Sequence, residues 1–233
     1  ILLSNFKIMR KIYTLLLTFM LIFGLTNVNA QDKNNQWQFS FGTNAVDLEA
    51  DTGYTIPEFF DVSENWNVSK SPLSMFSLSK YVGDNVSIGF GASFNNISNY
   101  ATGLALEGTT NDYFTVDAML KYDLSDLFTI GKLEPFVGIG PGWTWVGDYQ
   151  DGLTGNMSAG VNYWFNDVFG LTFMADFKHN YDNVGGATLV DEGGTMRYSA
   201  MFSVKFGGTD TDGDGIYDEH DECPEVPGLK EFN

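Results

Sequence analysis

Met196-Arg197-Tyr198-Ser199-Ala200-Met201-Phe202-Ser203-Val204-Lys205-Phe206 reads as two sequences interleaved. The even positions carry Met, Tyr, Ala, Phe, Val and Phe, and the odd ones Arg, Ser, Met, Ser and Lys. A β-strand turns successive side chains to opposite faces, so this stretch is a strand with one apolar and one polar face. The same period recurs in seven earlier segments. Their apolar positions are Trp37, Phe39 and Phe41; Phe76 and Leu78; Ile88, Phe90, Ala92 and Phe94; Phe114, Val116, Ala118, Leu120 and Tyr122; Val137, Ile139, Pro141, Trp143 and Trp145; Met157, Ala159, Val161, Tyr163 and Phe165; Phe169, Leu171, Phe173, Ala175 and Phe177. The residues between them are mostly Gly, Ser, Thr and Asn, with Met119 and Met174 among them and isolated charges of both signs. No segment between Trp37 and Phe206 has a helical period, so the chain reads as all-β with eight strands.

Period two suits a soluble antiparallel sandwich with its apolar faces inward, or a membrane barrel with its apolar faces outward. Export comes first in deciding. Arg10 and Lys11 precede the apolar run from Ile12 to Leu25, 14 residues long, and Val28-Asn29-Ala30 closes it with a small-residue cleavage site. This is a secretory signal peptide, and the run is shorter than the ~20 residues of a spanning helix. With no cysteine at the cleavage site it is not a lipoprotein signal. Translation is expected to start at Met9 and the mature chain at Gln31.

Three further features favour the barrel. The polar faces hold the small residues and scattered charges that fill a narrow lumen. Trp37, Trp143, Trp145, Phe165, Phe169 and Phe206 stand at strand ends, where interfacial girdles form. Connections alternate in length: Gly83 to Asn85, Ser125 to Lys132 and Asn166 to Val168 are short or modest, whereas Asp51 to Asn67, Asn95 to Asn111 and Lys178 to Gly194 are long, with a shorter one around Asp148 to Asp151. The expected fold is an eight-stranded antiparallel up-and-down transmembrane β-barrel over 31–207, behind a signal region 1–30, with both barrel ends on the short-turn, periplasmic side of a Gram-negative outer membrane. Eight strands leave no room for an aqueous channel. The expected lumen charges are Asp117, Lys121, Glu134, Asp176, Lys178, Arg197 and Lys205. They can be a mutually paired plug, or an ion path or active site; the cost of burying unpaired charge favours the plug.

The chain of 233 residues has 30 acidic and 12 basic side chains, a formal charge of −18, which argues against nucleic acid as a partner. Enzyme chemistry is not expected either. The two histidines lack partners in pattern: His179 ends the seventh strand and His220 lies in an acidic tail. There is no zinc spacing, G-x-S-x-G or phosphate loop. Gly138 to Gly142, GIGPG, lies inside a strand and reads as lumen packing.

Much of the acidity is in that tail. With Asp210 as position 1 of a calcium loop, Asp212 is 3, Asp214 is 5, Gly215 is 6, Ile216 is 7, Asp218 is 9 and Asp221 is 12. Carboxylates at 1, 3, 5, 9 and 12, a carbonyl at 7 and glycine at 6 are the EF-hand set, with Asp in place of Glu at 12. No flanking helix is expected, so 208–233 reads as a short EF-like calcium-loop tail; a solvated acidic linker is the alternative.

DTDGDGIYDEHDECPEVPG, from Asp210, resembles a thrombospondin type-3 repeat, and the resemblance implies that Cys223 pairs with a cysteine of a following unit beyond Asn233. Together with the barrel pattern over about 170 residues, the chain from Gln31 resembles OmpA-family outer-membrane proteins, which join barrel and periplasmic module by such repeats. The resemblance implies an anchor in outer-membrane lipid, a calcium-stiffened stalk and a tether to peptidoglycan through a further C-terminal domain. A second expectation is a surface-binding module, in which Tyr54, Phe59, Phe60, Trp66, Tyr100 and Tyr181 of the long loops grip a sugar, a phage or a neighbouring outer-membrane protein. A small pore or a lipid-modifying enzyme is the remaining alternative.

Overall fold

The structure is a computed structural model, which describes residues 35–48, 66–99, 110–128, 132–147, 150–166, 168–181, 194–208, 211–212, 218 and 221–228. The expected signal region and most of each long connection lie outside the described residues. Eight long strands close on themselves: β1 (Trp37–Asp47), β3 (Met75–Gly83), β4 (Val86–Ile97), β5 (Asn111–Asp123), β6 (Leu133–Val146), β7 (Gln150–Trp164), β8 (Phe169–Asn180) and β9 (Gly194–Phe206). Each pairs antiparallel with its neighbour in sequence, and β9 pairs with β1 from Trp37↔Phe206 to Asp47↔Met196. A two-residue strand, β2 (Asn67–Val68), pairs with the loop-side end of β1 and was not expected.

Tracing paired positions around the wall gives the shear. Trp143 pairs with Val116, and the path continues through Ala92, Phe76, Phe41, Phe202, Leu171 and Tyr163 to Leu133, ten residues down the strand it left. Eight strands with that stagger tilt by about 40°, within the usual range for closed barrels.

Alternation holds on all eight strands. Phe90, Met157 and Ile139 are 60% exposed or more, and Ile88, Leu120 and Phe173 are also exposed, whereas Ser93, Thr115 and Ser203 are 0% exposed inside. An apolar surface of this extent is not left to water by a soluble protein. Rings meet across its strands, Phe114 stacking on Trp145 at 5.3 Å and Phe41 lying 5.7 Å from Phe202, and along them, Tyr163 meeting Phe165 edge-on at 5.5 Å. Lys80 lies over the Trp37 ring at 5.3 Å, near the short-turn end.

The β3–β4 connection is the tight turn that the sequence suggests. Asp84 and Asn85 both take positive φ, 50° and 61°, the geometry of a two-residue hairpin whose twist matches its strands. Asn85 Nδ2 donates to Asp126 Oδ2 at 2.5 Å and ties this turn to the next one.

One seam departs from the ladder. β1 pairs with β3 from Trp37↔Lys80 to Gly42↔Met75 and with β2 only at Ala45 and Val46, so 69–74 leave the wall between. Backbone bonds hold its two ends, Ser69 N to Asn44 O at 2.9 Å and Ser74 N to Gly42 O at 2.7 Å, and side-chain amides add to them. Asn44 Nδ2 donates to Ser74 O at 2.8 Å and Phe94 O at 3.1 Å. Asn95 Nδ2 donates to Asn67 O at 2.6 Å, and Asn67 Nδ2 donates to Val46 O at 3.2 Å.

Candidate functional site

The seven lumen charges expected from the sequence all point inward and are buried, from Lys178 at 0% exposure to Glu134 at 8%. They form two clusters. On the loop side, Arg197 of β9 is the hub. Its Nη2 lies 2.9 Å from Asp176 Oδ2 and its Nη1 2.8 Å from Asp117 Oδ2. Nη1 also donates to Ser93 and Thr115 at 2.9 and 2.8 Å. Lys178 pairs with Asp117 Oδ1, which also accepts from Asn156 Nδ2 at 2.9 Å. Ser158 donates to Asp176 Oδ1 at 2.5 Å. Two carboxylates therefore meet two cations, with neutral donors completing them, as a dry interior requires.

On the short-turn side, Lys205 Nζ lies 3.4 Å from Glu134 Oε1 and 3.5 Å above the Trp164 ring, while Trp164 Nε1 donates to Glu134. Lys121 Nζ donates to Gln38 Oε1 at 3.2 Å and stands 5.1 Å from the Phe136 ring. Gln38 Nε2 reaches Ser40, Asn162 and Thr172 at 3.2, 3.5 and 3.4 Å, and Ser203 links the hydroxyls of Thr172 at 2.6 Å and Ser40 at 2.7 Å.

The glycines of GIGPG make room for what projects into the lumen beside them, Gly142 for the loop-side cluster and Gly138 for Met119. A Cβ on Gly142 would collide with Asp117 Oδ1 and stand 2.5 Å from Asn156 Nδ2; one on Gly138 would stand 2.7 Å from Met119 Sδ. β6 thus has no inward side chain at 138, 140 and 142, beside Asp117 and Met119 of β5 and Asn156 of β7. Packing leaves a cavity of about 20 Å³ among Asp117, Asp176, Arg197, Asn156 and Met119, room for about one water molecule.

Alternation in the sequence placed the charges but not all of the lumen. Trp164 escapes notice beside the outward Tyr163 and Phe165, although the alternation itself turns it inward. Tyr113, 1% exposed, packs with Val46, Leu48, Ile97 and Val146 into an apolar lid at the loop end. Met75, Phe136, Met174 and Met201 form a second apolar cluster, with Met119 packed against it.

The loop aromatics divide. Tyr54, Phe59, Phe60 and Tyr100 lie outside the described residues. Trp66 stacks on Tyr198 of β9 at 4.2 Å, reaching across the small Ala45 as part of the outer wall. Tyr181 is exposed and its ring meets His179 edge-on at 5.0 Å.

Of the proposed calcium ladder, Asp210, Asp214 and Ile216 lie outside the described residues, as do Gly215 and His220. Thr211 donates from its backbone N and its Oγ1 to the two oxygens of Asp218, at 2.7 and 2.6 Å. Asp221 Oδ1 accepts from the backbone N of Cys223 at 2.8 Å, and the Cys223 side chain is exposed. Among the described residues no three acidic, His or Cys side chains converge on one point.

No protein-family model and no curated protein sequence matches the chain. Solved structures do. The outer membrane protein OprG from Pseudomonas aeruginosa is 13% identical over 77% of this chain and 100% of its own, with a TM-score of 0.50. Neisserial surface protein A is 14% identical over 73% of this chain and 96% of its own, at 0.48. The Escherichia coli outer membrane protein W is 16% identical over 75% and 99%, at 0.43. The likeness to OprG extends to the fold: the chain has the closed β-barrel fold of an outer-membrane protein.

Proposed function

We propose that this chain is a structural outer-membrane protein: a sealed barrel that sits in outer-membrane lipid and anchors the chain beyond β9 on the periplasmic side. The observation that carries this reading is the inversion of the usual order, with exposed Phe, Ile, Leu and Met outside and paired charges inside. A bilayer accepts such a wall because closure pairs the strands all round and leaves no edge. The export signal supports the location. Catalysis is not part of the proposal, since His179 faces outward against Tyr181.

The tail is proposed to bind calcium through Asp210, Asp212, Asp214, Asp218 and Asp221 with the Ile216 carbonyl, hard oxygen donors suited to that ion. Because β9 ends beside the start of β1 on the short-turn side, the tail leaves the barrel there. On the resemblance to thrombospondin type-3 repeats, it begins a stalk tethering the membrane to peptidoglycan. Cosedimentation of the full-length protein with purified peptidoglycan tests the tether; a protein that inserts into membranes and stays in the supernatant overturns it. Binding through the outer loops is the second reading, carried by the exposed Tyr181. Crosslinked partners that survive deletion of 182–193 count against it.

A further inference from the structure

From the loop end to the turn end, the lumen alternates between charge and hydrocarbon. On β5 the inward residues run Asp117, Met119, Lys121; on β8, Asp176, Met174, Thr172; on β9, Arg197, Ser199, Met201, Ser203, Lys205. Methionine stands between the two charged clusters on all three. Met75 from β3 and Phe136 from β6 complete the layer, so five of the eight strands supply one contiguous apolar cluster. Met75, Met201 and Phe136 are 3% exposed or less. Its loop-side face borders the small cavity beneath Asp117, Asp176 and Arg197. Its turn-side face receives Lys121, 5.1 Å from the Phe136 ring.

The two kinds of layer oppose an ion differently. Within either charged cluster, side-chain oxygens and ammonium groups can exchange partners and stand in for lost hydration. Thioethers and a phenyl ring offer a hard ion nothing, and a constriction lined by them expels water. We propose that the layer of Met75, Met119, Met174, Met201 and Phe136 is the permeability barrier of the lumen, a hydrophobic septum that keeps two charged clusters from becoming one ion path. Its unbranched thioethers fill an irregular cross-section that branched side chains would fill less completely. The barrel is thus a latent channel, closed at the septum and, above it, by the lid of Val46, Ile97, Tyr113 and Val146.

The proposal rests on the membrane-barrel reading, and the test separates the two. The full chain is refolded into lipid vesicles; insertion is scored by protease protection and by gel mobility before and after boiling, and potassium conductance is measured in planar bilayers. Four proteins are compared: the parent; a lid-opened background, Val46→Ser with Ile97→Ser; that background with Met119→Ser and Met174→Ser; and that background with the charge-balanced pair Asp176→Asn and Arg197→Gln. The expected result is baseline conductance for the parent, the lid-opened background and the charge variant, and at least a roughly tenfold rise for the septum variant. Conductance of the lid-opened background equal to that of the septum variant overturns the proposal. So does an inserted septum variant that stays silent, or a charge variant that conducts as well. If the double serine variant does not fold, Met174→Thr alone takes its place with the same readings. A parent protein that fails to insert refutes the membrane reading instead.

Discussion

Replacing Arg197 by methionine removes the hub of the loop-side cluster while keeping most of its volume. The consequence depends on the contacts each partner retains. Asp117 keeps Lys178 and Asn156, so its charge remains compensated. Asp176 loses Nε at 3.1 Å and Nη2 at 2.9 Å, the contacts to its Oδ2, and is left with Ser158 on Oδ1. Asp176 is 2% exposed, so water cannot replace the guanidinium without rearrangement. An uncompensated buried carboxylate places the loss at about 3–5 kcal/mol. Removing Asp176 as well, as Asp176→Leu in the Arg197→Met background, takes away the stranded charge and should restore stability to within about 1–2 kcal/mol of the parent. Urea unfolding of the vesicle-inserted barrel, followed by tryptophan fluorescence, measures both. A single variant that costs less than about 1 kcal/mol, or a double variant that costs the sum of its parts, would refute the coupling of Arg197 to Asp176.

Three further outcomes are expected. Gly142→Val drives a side chain into Asp117, Asn156 and Thr154 and should destabilise by about 1–3 kcal/mol or prevent insertion, whereas Ala159→Val on the outer wall should change stability by less than about 0.5 kcal/mol; equal effects in urea unfolding would deny that β6 is glycine-rich to seat the cluster. Trp164→Phe keeps a ring beneath Lys205 but deletes the donor to Glu134, costing about 1–3 kcal/mol, and unfolding identical to the parent would remove Trp164 from the network. In the tail, calcium should protect the segment after Gly207 from limited proteolysis, chelation should abolish that protection, and Asp212→Ala with Asp214→Ala should make the tail insensitive to either; cleavage indifferent to calcium would leave an acidic linker.

The strands and both their faces could be read from residue order because a closed barrel maps the period of the chain directly onto inside and outside. Depth along the lumen obeys the same rule only once register is known. Asp117, Asp176 and Arg197 lie on three strands and share no local motif; a stagger of ten residues per circuit brings them to one level. The methionines illustrate the limit. Met119, Met174 and Met201 fall on the polar face by alternation, where a lone apolar residue reads as an exception. Register stacks these exceptions on one another, and only then do they become a layer.

The asparagine seam was illegible for the opposite reason. Asn44 and Asn95 keep the inward phase of β1 and β4, Asn67 stands beside 69–74, and their amides bond to backbone carbonyls. Alternation marks them as polar and inward like their neighbours, and leaves no sign that their amides bond to the backbone of a neighbouring segment. Asn67 also accepts from the backbone N of Ser98 and Asn99, both at 2.8 Å, so one buried amide joins β1, β2 and the chain beyond β4. A wall closed by backbone bonds tolerates any side chain of suitable size; over 69–74 the backbone ladder thins, and residue identity contributes to closure as well. That makes the β1–β3 seam the part of the barrel most exposed to substitution, and the loop side of β1 the strand segment whose pairing is expected to open first.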